Sequence, residues 1–211
     1  GNYFINYPSA MVFTQHSNEG YTPWTTVQNL TIRSNFVNPI YNVTGTRQWL
    51  IVSMDDPYNT DTKGCCLTID NNLVKNVTSL GQMDPVPTAT ITHNTVLNDR
   101  SSPVYGSYLI TTSAVNPNWT IKDNILVNNN YGIQCYISPF TVGSCWPSMA
   151  FSNNVIVNNF NHGDMVSRYG SGLLSPVRTD ISQVGFTNMG ANDYRLSSAS
   201  SFRNMASDGT D

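Results

Sequence analysis

The chain is 211 residues long, carries a formal net charge of −3 and is only 11% charged, against about 25% in an average soluble domain. Its 3 Lys and 7 Arg are scattered, which argues against nucleic acid as a partner, because a nucleic-acid groove needs a concentrated basic footprint. No run approaches the ~18 apolar residues of a membrane span.

Polarity comes instead from 27 Asn, 22 Ser and 22 Thr. With abundant β-branched and aromatic residues, this composition reads as all-β and rich in turns. Residues 1–29 hold Tyr3-Phe4-Ile5 and Ala10-Met11-Val12-Phe13-Thr14, an early unit with a loop near 18–23. From Leu30 a fixed phrase begins, apolar-x-apolar-x-x-Asn. It runs Leu30–Asn35 and returns at Leu67–Asn72, Ala89–Asn94, Trp119–Asn124 and Met149–Asn154. In Trp119-Thr120-Ile121-Lys122 the alternation is that of a half-buried strand. Asp123-Asn124 is bend chemistry, since Asn tolerates the left-handed region. Ile125-Leu126-Val127 opens a second short strand.

The recurring Asn35, Asn72, Asn94, Asn124 and Asn154 are 37, 22, 30 and 30 residues apart. The shortest interval sets the bare repeat; the excess elsewhere is loop, gathered near 40–64 and 99–118. Fixed-phase repetition predicts a solenoid, here a parallel β-helix whose rungs rise by ~4.8 Å. Equivalent residues then stack in columns. Ile32, Ile69, Ile91, Ile121 and Phe151 make one buried column; Val37, Val74, Val96, Leu126 and Ile156 make another. The asparagines form a ladder that satisfies bend groups otherwise buried without partners. Rungs occupy 1–183. Residues 184–211 have no rung pattern and are the candidate polar cap that a solenoid end needs.

Of the four cysteines, Cys65 and Cys66 are adjacent and poorly placed to pair with each other. Cys135 and Cys145 bracket a short loop that a disulfide would clip, in keeping with an oxidising compartment. The alternative is that all four are small apolar fillers. Four Asn-x-Ser/Thr sequons, at Asn29, Asn42, Asn76 and Asn118, are no more than this composition produces by chance.

Pro23-Trp24 through Asn35, Thr90 through Thr95, and the tail from Asp193 to Asp211 resemble stretches of secreted bacterial right-handed parallel β-helix proteins related in fold to pectate lyases. Asp55-Asp56 matches a pair that those proteins carry before a rung. The resemblance spans nearly the whole chain. It implies a right-handed coil, a secreted or cell-surface location and further rungs upstream of Gly1. By fold analogy it also implies a polysaccharide-binding or polysaccharide-processing role of the lyase or hydrolase kind, and it fixes no activity.

The candidate site residues follow from chemistry. Asp55, Asp56 and Asp61, with Lys63, share a long loop and are the candidates for a calcium or sugar site; a solvated turn is the alternative. In register, Arg33, Asp70, Thr92 and Lys122 form an outward column. Arg33 and Asp70 of that column, with Lys63 of the loop, are the candidate substrate contacts, and Asp55 and Asp56 of the loop, with Lys122 of the column, the candidate catalytic groups. Tyr105, Tyr108, Tyr131 and Tyr136 are placed to stack on sugars or to cover the core. The competing reading is a non-catalytic structural, adhesive or filament-forming protein that self-associates through its end rungs.

Overall fold

A computed structural model describes residues 2–5, 11–14, 28–38, 49–54, 65–77, 79–98, 108–157 and 177–210. Among them the chain is all-β apart from short helical turns. Three parallel sheets each draw strands from successive repeats. Sheet I contains β3 (Gln28–Arg33), β6 (Cys65–Asp70), β9 (Thr88–Thr92), β12 (Asn118–Lys122) and β15 (Ala150–Ser152). Sheet II contains β1 (Tyr3–Ile5), β4 (Phe36–Asn38), β7 (Leu73–Lys75), β10 (Thr95–Leu97), β13 (Ile125–Val127), β16 (Val155–Val157) and β17 (Val177–Thr179). Sheet III contains β2 (Met11–Thr14), β5 (Trp49–Met54), β8 (Ser79–Asp84), β11 (Ile110–Thr112) and β14 (Ile133–Cys135). Strands this short cannot bury a face alone; stacking neighbours makes their small apolar faces continuous.

Both columns read from the sequence exist. Ile32, Ile69, Ile91, Ile121 and Phe151 are paired in register down sheet I. Val37, Val74, Val96, Leu126 and Ile156 are paired down sheet II. Nearly all of these side chains are buried in one continuous core, and Phe151 packs partly buried against it. The same core takes Trp119 and Trp146, which meet edge to face. Trp119 directs its indole N–H to the Val86 carbonyl at 2.6 Å.

The asparagines of the bend between sheets I and II are buried and linked. Asn35, Asn72, Asn94 and Asn124 each give a main-chain and a side-chain N–H to the carboxamide oxygen of the next asparagine. Asn2 joins from above, giving both its N–H groups to Asn35 Oδ1. That member follows from register, because Tyr3 pairs with Phe36. The left-handed residue of each bend is the one before the ladder asparagine: Ser34, Asn71, His93, Asp123 and Asn153 all have φ between 52° and 60°. A second set of contacts, Asn76 to Asn38 and Asn98 to Asn129, marks the opposite end of the sheet II strands.

Cys135 and Cys145 are joined by a disulfide that closes the loop after β14. Cys66 is likewise disulfide-bonded. The loop contains a single-turn helix, α1 (Val142–Cys145).

The segment after β17 runs along the flank of the stack. Its hairpin, β18 (Phe186–Asn188) with β19 (Asp193–Leu196), is antiparallel. Val184 is buried with Leu97 and Val157, and Phe186, Tyr194, Leu196 and Phe202 pack on that small cluster. Lys75, itself buried, reaches out to Asn192 Oδ1 at 2.9 Å and lies over the Tyr194 ring. Farther along, Ser207 meets Asp123 and Asp208 meets His93. The segment therefore touches successive repeats from the side.

Candidate functional site

The outward column of sheet I is in register: Arg33 beside Asp70, Asp70 beside Thr92, Thr92 beside Lys122. Its charges are tied to one another. Arg33 Nε lies 2.8 Å from Asp70 Oδ2, and the Thr92 hydroxyl donates to Asp70 Oδ1 at 2.9 Å. His93 stands between two carboxylates, with Nδ1 3.4 Å from Asp70 and Nε2 3.2 Å from Asp208. Lys122 Nζ donates to the Ser207 hydroxyl at 3.1 Å and lies 3.7 Å from Asp123.

Three carboxylates of the flank and tail, Asp123, Asp208 and Asp193, have lowered pKa values. Burial raises the Asp123 pKa, but the Ser207 hydroxyl, the Ser207 N–H and the Lys122 charge outweigh it and leave it lowered. Asp208 is pulled down to about 2, chiefly by the Thr210 hydroxyl and N–H, with the His93 ring adding to them. Asp193 is brought to about 2 by the Arg195 guanidinium. A carboxyl group with so low a pKa has no proton to donate at neutral pH, so these groups suit anchoring better than general acid catalysis. Lys122, the candidate base, is an anchor of the tail. Arg33 and Asp70 belong to the same network, and an open cleft of about 1010 Å³ lies between the bends at Ser34, Asn71 and His93 and the tail at Tyr194 and Arg195.

Asp55, Asp56, Asp61 and Lys63 lie outside the described residues, as do Tyr105 and the loop near 40–48. Among the described residues no group of three or more His, Cys, Asp or Glu is placed to hold a metal, and no helix is long and apolar enough to cross a membrane.

A different constellation occupies the outer face of sheet III. Gln82, Thr111 and Gln134 are paired in register down that face. Tyr108 and Tyr131 stand at equivalent positions, two residues before the paired Ile110 and Ile133. Their rings stack with centroids 5.1 Å apart. Tyr136, on the far side of β14, sets its ring edge-on to Tyr108, and the two hydroxyls meet at 2.6 Å. Tyr136 remains 48% exposed, and Phe140, in the disulfide-clipped loop beside it, 59%. Thr111, between Gln82 and Gln134 in register, is buried, and its hydroxyl has no hydrogen-bond partner. Asp84 closes one end, its oxygens accepting from the Thr112 hydroxyl, the Ser113 N–H and the Gln82 amide.

Sequence reasoning names these tyrosines as candidates to stack on sugars or to cover the core, and misses their contacts with one another. The signal is present as Tyr108-Leu109-Ile110 and Tyr131-Gly132-Ile133, a Tyr-x-Ile phrase with the spacing of one repeat. Comparison of the chain with protein families, with curated proteins and with solved structures finds no match.

Proposed function

We propose that this chain is the repeat body of a secreted or cell-surface right-handed parallel β-helix protein that binds polysaccharide. The observation that carries the reading is the cluster of Tyr108, Tyr131 and Tyr136 on the outer face of sheet III, beside the amide column of Gln82 and Gln134. Sugar rings present C–H faces that pack on aromatic rings, and hydroxyls that hydrogen-bond amides and phenols. A face built from stacked strands repeats at the strand spacing of ~4.8 Å, so Gln82 and Gln134, two strands apart in register, set their amides along one line for an elongated polymer. The disulfides favour an oxidising, extracellular setting. Binding is better supported than processing, because Asp70, Asp123 and Lys122 are engaged in ion pairs and hydrogen bonds rather than poised for proton transfer.

Affinity electrophoresis and calorimetry of the intact protein against a broad glycan panel, with a parallel assay for new reducing ends and unsaturated products, test this reading. Retention by at least one glycan without turnover is expected. Absence of binding to every glycan overturns it, and turnover replaces binding with processing.

A further inference from the structure

Resting on the polysaccharide reading, we infer that the sheet III face takes an uncharged glycan rather than an acidic one. The argument concerns the side chains that meet there. Tyr108, Tyr131 and Tyr136 supply rings, and Gln82 and Gln134 supply amides. Among the described residues of the face there is no Lys, Arg or His. The one charge among those described residues is the Asp84 carboxylate, engaged by Gln82, Thr112 and Ser113.

A polymer with a carboxylate on every sugar needs compensating cations where it is desolvated. Here the first charge it meets has its own sign, and like charges close together are repulsive. Arg33, Arg195, Arg203 and His93 lie elsewhere, on the flank, where Arg33 and His93 are bound up with Asp70 and Asp208. An uncharged pyranose meets none of this penalty. Its apolar face packs on the exposed Tyr136 ring, and its hydroxyls reach the amides of the column.

The test is calorimetry of the full chain with uncharged oligosaccharides (β-glucan, xylan and mannan) and with polygalacturonate, each at low and high salt. At least one uncharged sugar is expected to bind with an affinity that barely moves with salt, since no ion pair is formed for salt to screen. Tyr136→Ala is expected to weaken that binding by about tenfold, the loss of one aromatic stacking partner. Tyr136→Phe keeps the ring and is expected to retain most of it, which guards against a folding effect of the alanine variant. Ring contact is read independently from perturbation of tyrosine absorbance on adding the sugar. Preference for polygalacturonate, with affinity falling as salt rises, overturns the inference and leaves polysaccharide binding standing. Tight binding of an uncharged sugar unaffected by Tyr136→Ala overturns the assignment of this face. Binding of nothing overturns both readings.

Discussion

Asn94 gives both its main-chain N–H and its side-chain N–H to the carboxamide oxygen of Asn124, at 2.9 and 3.0 Å. Asn124 in turn donates from Nδ2 to the Ile91 carbonyl of the repeat above, to its own Lys122 carbonyl and to Asn154. One buried amide therefore satisfies groups in three repeats. Asn124→Leu strands several of them at once, each costing ~1–3 kcal/mol when buried without a partner. The variant is expected to lose about 3 kcal/mol or more, read as a lower denaturant midpoint. A midpoint within error of the parent would mean that the ladder is ornamental.

Ile91 is fully buried between Ile69 and Ile121. Ile91→Ala removes three carbons from the middle of a column whose neighbours are pinned by sheet hydrogen bonds and cannot close in. The expected cost is about 3–4 kcal/mol, toward the upper part of the range for such truncations. Thermal or denaturant unfolding checks it, and a loss below about 1 kcal/mol would indicate a column that collapses freely.

Acid is expected to loosen the tail before the stack. Asp123 and Asp208 both have lowered pKa values in the folded chain, Asp208 near about 2. A depressed folded-state pKa gives stability that is present above the unfolded value, near 3.9 in round terms (about 4), and is lost as pH falls through the folded value. Docking of Ser207 and Asp208 should thus be complete at neutral pH and weaken between about pH 4 and about pH 2. Protection of the Ser207 amide, taken relative to that of Ile91, should fall in that window. Asp123→Asn should lower it already at neutral pH. Equal relative protection at both ends of the window contradicts the assignment.

The Cys135–Cys145 bridge closes a loop with a sequence separation of 10. Chain-entropy reasoning gives a loop of that size about 2.7 kcal/mol. Replacing both cysteines by Ala should lower the unfolding midpoint accordingly and loosen Tyr136 and Phe140, which the loop presents. An unchanged midpoint would show that the turn around α1 is held by packing alone.

Much of the architecture is legible in the sequence, because a period of fixed phase carries three things together. It gives which residues face inward, which repeat pairs with which, and where the bends fall. The Ile32-to-Phe151 column and the five-asparagine ladder follow from that phase. The phase does not show which bend residue is left-handed. Asparagine tolerates that region, yet the structure puts the residue before it there, even when that residue is Ser34 or His93. The tail along the flank was not legible, because its contacts, Lys75 with Asn192 and Asp123 with Ser207, join residues 117 and 84 apart without any repeating signal. Of the site, the register of Arg33, Asp70, Thr92 and Lys122 is legible in the repeat. The sequence could not show that its charges would be spent on each other and on Ser207 and Asp208. The tyrosine cluster hid for another reason. Tyr136 comes from the far end of its strand, and only side-chain reach brings it to Tyr108.

The most direct measurement is a hydrogen-exchange footprint of the glycan that the panel selects, taken on the full chain. Exchange should slow at Tyr108–Thr112 and at Ile133–Ile137, the backbone beneath the tyrosines and Gln134, and stay unchanged at Asp193–Ser198 and around Asn71. Slowing confined to those flank segments, with the sheet III face untouched, would contradict the placement of polysaccharide binding on the tyrosine face.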